Sequence, residues 1–238
     1  MATSSAISYF VDGTTMVGHL AVPDIPGTHP AVLVCHEGPG IDEHARGRAD
    51  RLADLGYVAF ALDYHGGGER LPDMAAMMAR LGPLMGDAER IRTLGHAGLE
   101  VLLAQPKVDH ERVAAIGYCF GGTMALELAR SGAALQAVVG FHSGLGTARP
   151  QDATNIVARV LVCIGSEDPL IPPAQRTDFE AEMRAAKIDW RMNLYGRAEH
   201  SFTNPNAGDA GMAGISYDKL TDERSWRAML DLFAEVGM

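Results

Sequence analysis

Eight short apolar runs alternate with stretches of helical spacing, and that alternation limits the chain to an α/β architecture with a mostly parallel central sheet flanked by helices. "AISYFV" and "VGHLAVP" read as an opening pair of strands, a hairpin at the sheet edge. "PAVLVCHE", "YVAFALDY", "RVAAIGY", "LQAVVGFH", "RVLVCIG" and "DWRMNLY" read as the following strands, several of them apolar enough to be covered on both faces. Between and after them, "DEHARGRADRLADLG", "ERIRTLGHAGLEVLLAQ", "GGTMALELARSG", "PPAQRTDFEAEMRAAK" and "TDERSWRAMLDLFAEV" carry apolar residues at helical spacing. Pro172 and Pro173 suit a first helical turn, and Gly56 and Gly132 stand where left-handed helix caps are wanted. The 238 residues read as one domain spanning 1–238. One stretch, "ERLPDMAAMMARLGPLMGDAER", breaks the alternation with Met74, Met77, Met78 and Met85 among alanines, glycines and prolines. It reads as one or two short helices, either a flexible apolar lid or plain core packing.

Charge narrows the partners. A net charge of −10 leaves no basic stripe for nucleic acid and disfavours an anionic membrane surface. The N-terminal stretch lacks the pattern of a signal peptide, and no run is long enough to span a bilayer, so a cytoplasmic location is expected. The three cysteines are too few and too scattered for a disulfide framework or a zinc cluster. Cys35 and Cys163 end apolar runs and read as small buried hydrophobes.

Cys119 differs because glycines surround it. "AAIGYCFGGTMALELA" reads as a strand, a sharp turn and a helix, with Cys119 at the tip of Gly117-Tyr118-Cys119-Phe120-Gly121. Such an elbow exposes its central residue at the C-terminal edge of a sheet, and the small flanking residues let the chain turn tightly. The thiol then stands at a helix N-terminus, which favours the thiolate, and the Phe120 amide lies where an oxyanion would form. In this architecture the nucleophile is followed by an acid and then a histidine. "RVLVCIGSEDPLIPP" ends a strand in a loop bearing Glu167 and Asp168, of which Asp168, in the Gly-x-x-Asp-Pro turn, is the better placed. Of nine histidines, only His200 follows it. His200 would take the thiol proton and return it to the leaving group, Asp168 would fix the imidazole tautomer, and the thiolate would attack a carbonyl to give a thioester.

"HEGPG", "GYCFGG", "GSEDPLIPP" and "AEHSF" together resemble the dienelactone hydrolase family of the α/β-hydrolase fold, over nearly the whole chain. The resemblance implies a sheet of about eight strands, no cofactor, and Cys119, Asp168 and His200 as the triad. It also implies that Glu37 interacts with the resting cysteine and helps to activate it, and that the Gly38 amide is the second oxyanion donor. Tyr118, Phe202, Tyr64 and Phe120 read either as pocket walls or as packing. His36, His65 and His142, at predicted strand ends, match no metal-ligand spacing and are expected to line the cleft or bond to backbone. Where relatives that open dienelactones carry a carboxylate-binding arginine after the catalytic histidine, this chain has Ser201-Phe202-Thr203-Asn204. Asn204 there, with Arg70 and Arg80 as partial substitutes, implies a preference for neutral, fairly apolar esters.

The leading expectation is therefore a carboxylic ester or lactone hydrolase of small molecules, monomeric or homodimeric. Two alternatives remain: the same site acting on activated phosphotriesters, and a non-catalytic binding protein on this fold.

Overall fold

The computed structural model describes residues 2–238. Its eight strands are β1 (Thr3–Val11), β2 (Thr14–Val22), β3 (His29–Cys35), β4 (Val58–Leu62), β5 (Val108–Tyr118), β6 (Ala137–Phe141), β7 (Arg159–Gly165) and β8 (Trp190–Tyr195). They form one sheet in the order β1-β2-β4-β3-β5-β6-β7-β8. Every expected strand is present. β1 and β2 form the edge hairpin, closed by Asp12-Gly13 with both residues at positive φ (48° and 78°). That geometry matches the right-handed twist of the strands, and Asp-Gly tolerates it well. β2 joins β4 antiparallel, and all later pairings are parallel.

The helices are α1 (Glu43–Asp54), α2 (Met74–Leu81), α3 (Ala88–Leu103), α4 (Phe120–Arg130), α5 (Pro173–Ala186) and α6 (Lys219–Glu235). Strand residues alternate between two apolar layers. Leu33, Phe60 and Leu62 pack with residues of α3, α4 and α5, while Val32, Val34 and Ala59 pack with α1 and α6. This double cover explains why the central strands read as unbroken apolar runs. Gly56 and Gly132 follow their helices at φ 99° and 85°, as expected of caps. The irregular stretch holds α2 and a 3-10 turn, Gly82–Leu84. Among the described residues no helix is long and apolar enough to cross a membrane.

Two features of this topology place the site. From β3 the chain runs outward to β4, then crosses to the opposite side of β3 for β5. The carboxyl ends of β3 and β5 therefore flank the point where strand order reverses, and a crevice opens there. The second feature is Arg48 of α1, which is buried and donates to Thr203 O (2.7 Å) and Asp222 Oδ1 (2.7 Å). It ties α1, α6 and the loop after β8 into one body beneath the crevice. Removing either partner would strand a buried charge.

Candidate active site

At the end of β5, Cys119 adopts φ 53° and ψ −122°, a strained conformation for a residue with a Cβ. The surrounding glycines are required by contact. A Cβ at Gly117 would lie 2.1 Å from Gly121 O, one at Gly121 would lie 2.2 Å from Cys35 O, and one at Gly122 would lie 1.7 Å from Ser143 Oγ. α4 begins immediately after the elbow and aims its free amides at the crevice. Cys119 is the one half-exposed cysteine; Cys35 and Cys163 are buried in the sheet, as expected.

Asp168 and His200 arrive from the loops after β7 and β8. His200 Nδ1 and Asp168 Oδ2 are 2.8 Å apart, and Asp168 Oδ1 accepts from the Leu170 amide at 2.9 Å. Both carboxylate oxygens are thereby held, and Nδ1 carries the proton that the carboxylate receives. Glu167 instead faces solvent and accepts from Ser166 Oγ at 2.9 Å. The His200 backbone is fixed too: its N–H donates to Gly214 O (2.9 Å), and its carbonyl accepts from the Ser216 amide (3.1 Å). Nε2 is buried and meets no nitrogen or oxygen partner; the group beside it is the Cys119 sulfur. Burial pushes the imidazole pKa down, but the adjacent Cys119 sulfur and the Asp168 carboxylate outweigh it and raise the pKa to about 10.

The loop after β3 completes the floor. Tyr64 OH lies 3.1 Å from His36 O and 3.0 Å from Glu37 O, and His36 Nδ1 donates to Glu37 O at 2.6 Å. His65 Nε2 donates to Gly38 O at 2.8 Å. Both imidazoles are held neutral by burial, His36 with its pKa lowered to about 3. Because a trans peptide points its N–H opposite to its C=O, anchoring Glu37 O behind the loop turns the Gly38 amide toward the cavity. Among the described residues neither the Gly38 nor the Phe120 amide meets a protein acceptor, and both residues line the cavity.

Glu37 is buried as well, and its carboxylate is bound by Asn204 rather than by the thiol: Asn204 Nδ2 donates to Oε2 at 2.5 Å. Burial raises the Glu37 pKa, opposed by hydrogen bonds from Asn204 and Ser201. His142 stands alongside with its Nε2 3.8 Å from Glu37 Oε1, donating to Thr203 Oγ1 at 2.8 Å. Its Nδ1 accepts from the Cys119 amide at 3.2 Å. The expected local bonding of His36, His65 and His142 is what the structure displays. Among the described residues no cluster suited to a metal ion occurs.

The cavity above this floor measures about 900 Å³. Met74, Met77, Met78 and Met85 all line it, together with Leu81. The irregular stretch thus forms a roof, and it lies close: a Cβ on Gly38 would come within 3.0 Å of Leu81 Cδ1 and 3.1 Å of Met77 Sδ. Phe120 lines the cavity, whereas four other expected wall residues lie outside it. Tyr118 is fully buried and stacks on Phe141 with ring centroids 4.9 Å apart. Phe202 is fully buried against His142, and Tyr64 and His65 spend their polar atoms on the loop after β3. Packing and backbone hydrogen bonds claimed these residues, which are buried away from the cavity lining. Asn204 does border the cavity, with one amide hydrogen committed to Glu37 and Oδ1 accepting from the Asn206 amide at 3.0 Å. Arg70 lines the cavity and Arg80 does not. Sequence reasoning missed Arg46, Thr123, Leu170, Ile171, Met212 and Ile215. Arg46 and Thr123 come from the polar sides of helices, and the others come from loops that carry no periodic signal.

A parallel sheet with an antiparallel hairpin at one edge, a glycine-packed elbow at β5 and a crevice at the switch point define an α/β-hydrolase. The chain belongs to the dienelactone hydrolase family, whose pattern matches residues 16–237, and it is accordingly a hydrolase. A structure named m3DLH is 48% identical, with a TM-score of 0.95 over 99% of this chain and 98% of its own. A dienelactone hydrolase-like promiscuous phosphotriesterase from metagenomic libraries is 41% identical, with a TM-score of 0.94 over the same shares. A Bradyrhizobium relative, named a probable 2-oxo-3-(5-oxofuran-2-ylidene)propanoate lactonase, is 28% identical over 85% of this chain and 86% of its own.

Proposed function

We propose that the protein hydrolyses small, neutral, apolar carboxylic esters and lactones through Cys119, His200 and Asp168. The observation that supports this most is the His200 imidazole, tied at Nδ1 to Asp168 (2.8 Å) while its other nitrogen is left for the elbow thiol. The thiol proton passes to His200 Nε2, and sulfur attacks the substrate carbonyl carbon. The Phe120 and Gly38 amides receive the oxyanion. Collapse of the tetrahedral intermediate breaks the bond to the leaving alkoxide, which takes the proton from Nε2 and leaves a thioester on Cys119. A water molecule then loses a proton to Nε2 and attacks the thioester, and the departing sulfur is restored with that proton.

Substrate preference follows from the roof. Methionine side chains adapt to varied apolar shapes, so acyl chains and aryl leaving groups fit better than a fixed polar ligand. Asn204, at the place of the carboxylate-binding arginine, is engaged by Glu37 and carries no charge for a substrate carboxylate, and the cations that line the cavity among the described residues are Arg46 and Arg70. A rate comparison tests this reading: p-nitrophenyl butyrate should be turned over far faster than a carboxylated dienelactone, and the reverse order would overturn it. The structural relative named as a promiscuous phosphotriesterase favours a second reading, in which the same thiolate attacks a neutral aryl phosphotriester. Steady release of nitrophenol from such a triester, abolished in Cys119→Ala, would support it; release unaffected by the substitution would refute it.

A further inference from the structure

The Glu37 carboxylate and the Cys119 thiol border the same cavity, yet their side chains are engaged with different groups. Asn204 Nδ2 holds Glu37 Oε2 at 2.5 Å. The amide's orientation is not free, because Asn204 Oδ1 accepts from the Asn206 amide at 3.0 Å, which leaves Nδ2 as the donor toward Glu37. Its backbone is set as well, with Asn204 N donating to Ser201 O at 2.9 Å in the turn directly after His200. That turn is anchored from below by Arg48 on Thr203 O (2.7 Å) and by His142 on Thr203 Oγ1 (2.8 Å). One short segment, residues 200–204, thus presents the general base to the sulfur and removes the carboxylate from it.

We propose that Asn204 is a positioning residue for the nucleophile: by holding Glu37 on its side-chain amide it leaves the Cys119 thiol to His200, so the enzyme rests with sulfur and base already paired. In that state the proton has moved from Sγ to His200 Nε2, giving a thiolate beside an imidazolium, with no other bond made or broken. The carboxylate needs no substrate-triggered release from the sulfur. This inference rests on Cys119 being the nucleophile of the proposed reaction, but it concerns the free enzyme.

The charged and titratable surroundings agree. Facing Cys119 are His200, Tyr64 and His142; burial and neighbouring negative charge hold Tyr64 as the neutral phenol, and His142 accepts from the Cys119 amide. Facing Glu37 are His142, His200, Asp42, Tyr64 and Tyr118. His142 is kept neutral by burial, with its Nδ1 occupied by a backbone donor. Among the described residues His200 is therefore the cation that both the sulfur and the carboxylate can claim, and Asn204, beside Ser201, gives Glu37 another partner.

The pH profile of iodoacetamide alkylation of Cys119, read by peptide mass, tests this without any turnover. In the unmodified protein the rate should stay nearly flat between about pH 6 and pH 9, unlike an ordinary thiol, which gains reactivity through ~8.5. Asn204→Leu, which keeps the side chain's bulk without its amide, should slow alkylation at about pH 6 roughly tenfold while leaving the high-pH plateau unchanged. Adding Glu37→Gln to Asn204→Leu should restore the flat profile, an effect that a merely structural role of Asn204 would not produce. An ordinary thiol profile in the unmodified protein would overturn the proposal even if Asn204→Leu failed to fold. A profile unchanged by a folded Asn204→Leu variant would overturn it equally. A flat profile in a protein that hydrolyses no ester would instead count against the proposed function and leave this inference standing.

Discussion

The floor of the cavity and its roof are built by opposite means. The floor is made of strand ends: Cys119 after β5, Glu37 and Gly38 after β3, Asp168 after β7 and His200 after β8, every one except Cys119 buried. Glu37, Asp168 and His200 are each held by two or more hydrogen bonds, and glycines at the elbow leave no space for a Cβ. The roof is one helix of eight residues and a 3-10 turn, with Met74 45%, Met78 42% and Met85 56% exposed. Reaction chemistry needs sub-ångström placement, which a packed sheet supplies. Substrate selection among apolar groups needs only a surface that yields, and a lightly packed methionine segment supplies that.

If that division is right, substitutions in the floor should abolish chemistry or folding, and those in the roof should retune binding. The largest loss is expected for Cys119→Ala and His200→Ala, each lowering kcat/KM for p-nitrophenyl butyrate about 10⁴-fold. Asp168→Asn keeps the shape but offers the imidazole an amide in place of a carboxylate, and should cost roughly 10²- to 10⁴-fold in kcat. Gly122→Ala breaks the floor by packing rather than by chemistry. Its new methyl has no room beside Ser143 Oγ, so the unfolding free energy should drop by about 2–4 kcal/mol in denaturant titrations. At the small end, Met78→Ala in the roof should change KM severalfold, shift the preferred acyl length, and leave kcat and stability close to the parent. A catalytic collapse in Met78→Ala would erase the distinction between the two regions.

The floor also has a pH signature. The His200 pKa is raised from 6.5 to about 10, so the stability it contributes is fully present below about 6.5 and is lost as pH rises toward 10. The steepest part should lie above ~8.5, where the unfolded thiol ionises as well. In Cys119→Ala the sulfur charge is gone, and the decline of the unfolding midpoint over this range should flatten. Parallel curves for the two proteins would show that the sulfur and the imidazole do not interact.

How much of this was legible in the sequence divides along the same line. All eight strands could be read, because burial on both faces leaves uninterrupted apolar runs, and the elbow could be read because its glycines are forced by backbone contacts. The acid and the histidine were reachable through their order along the chain. What stayed hidden depends on depth rather than on order. Tyr118, Tyr64 and His65 at or just past strand ends, and Phe202 in the loop after β8, are buried and do not line the cavity, and alternation cannot say which side an end residue enters. The bond from Asn204 to Glu37 joins residues 167 positions apart, and nothing local in either segment announces it. Met212 and Ile215 reach the cavity from an irregular loop, where no period exists to read.

The account depends above all on the Cys119 sulfur carrying the acyl group, and one experiment addresses that directly. The protein is mixed with p-nitrophenyl butyrate, quenched in acid within the first turnovers, digested and mapped by mass spectrometry. A single butyryl group on the peptide containing Cys119, lost again as free butyrate accumulates, is the predicted result. Turnover with that peptide unmodified throughout, or with the butyryl group on another side chain such as Ser143 or Ser201, would contradict it.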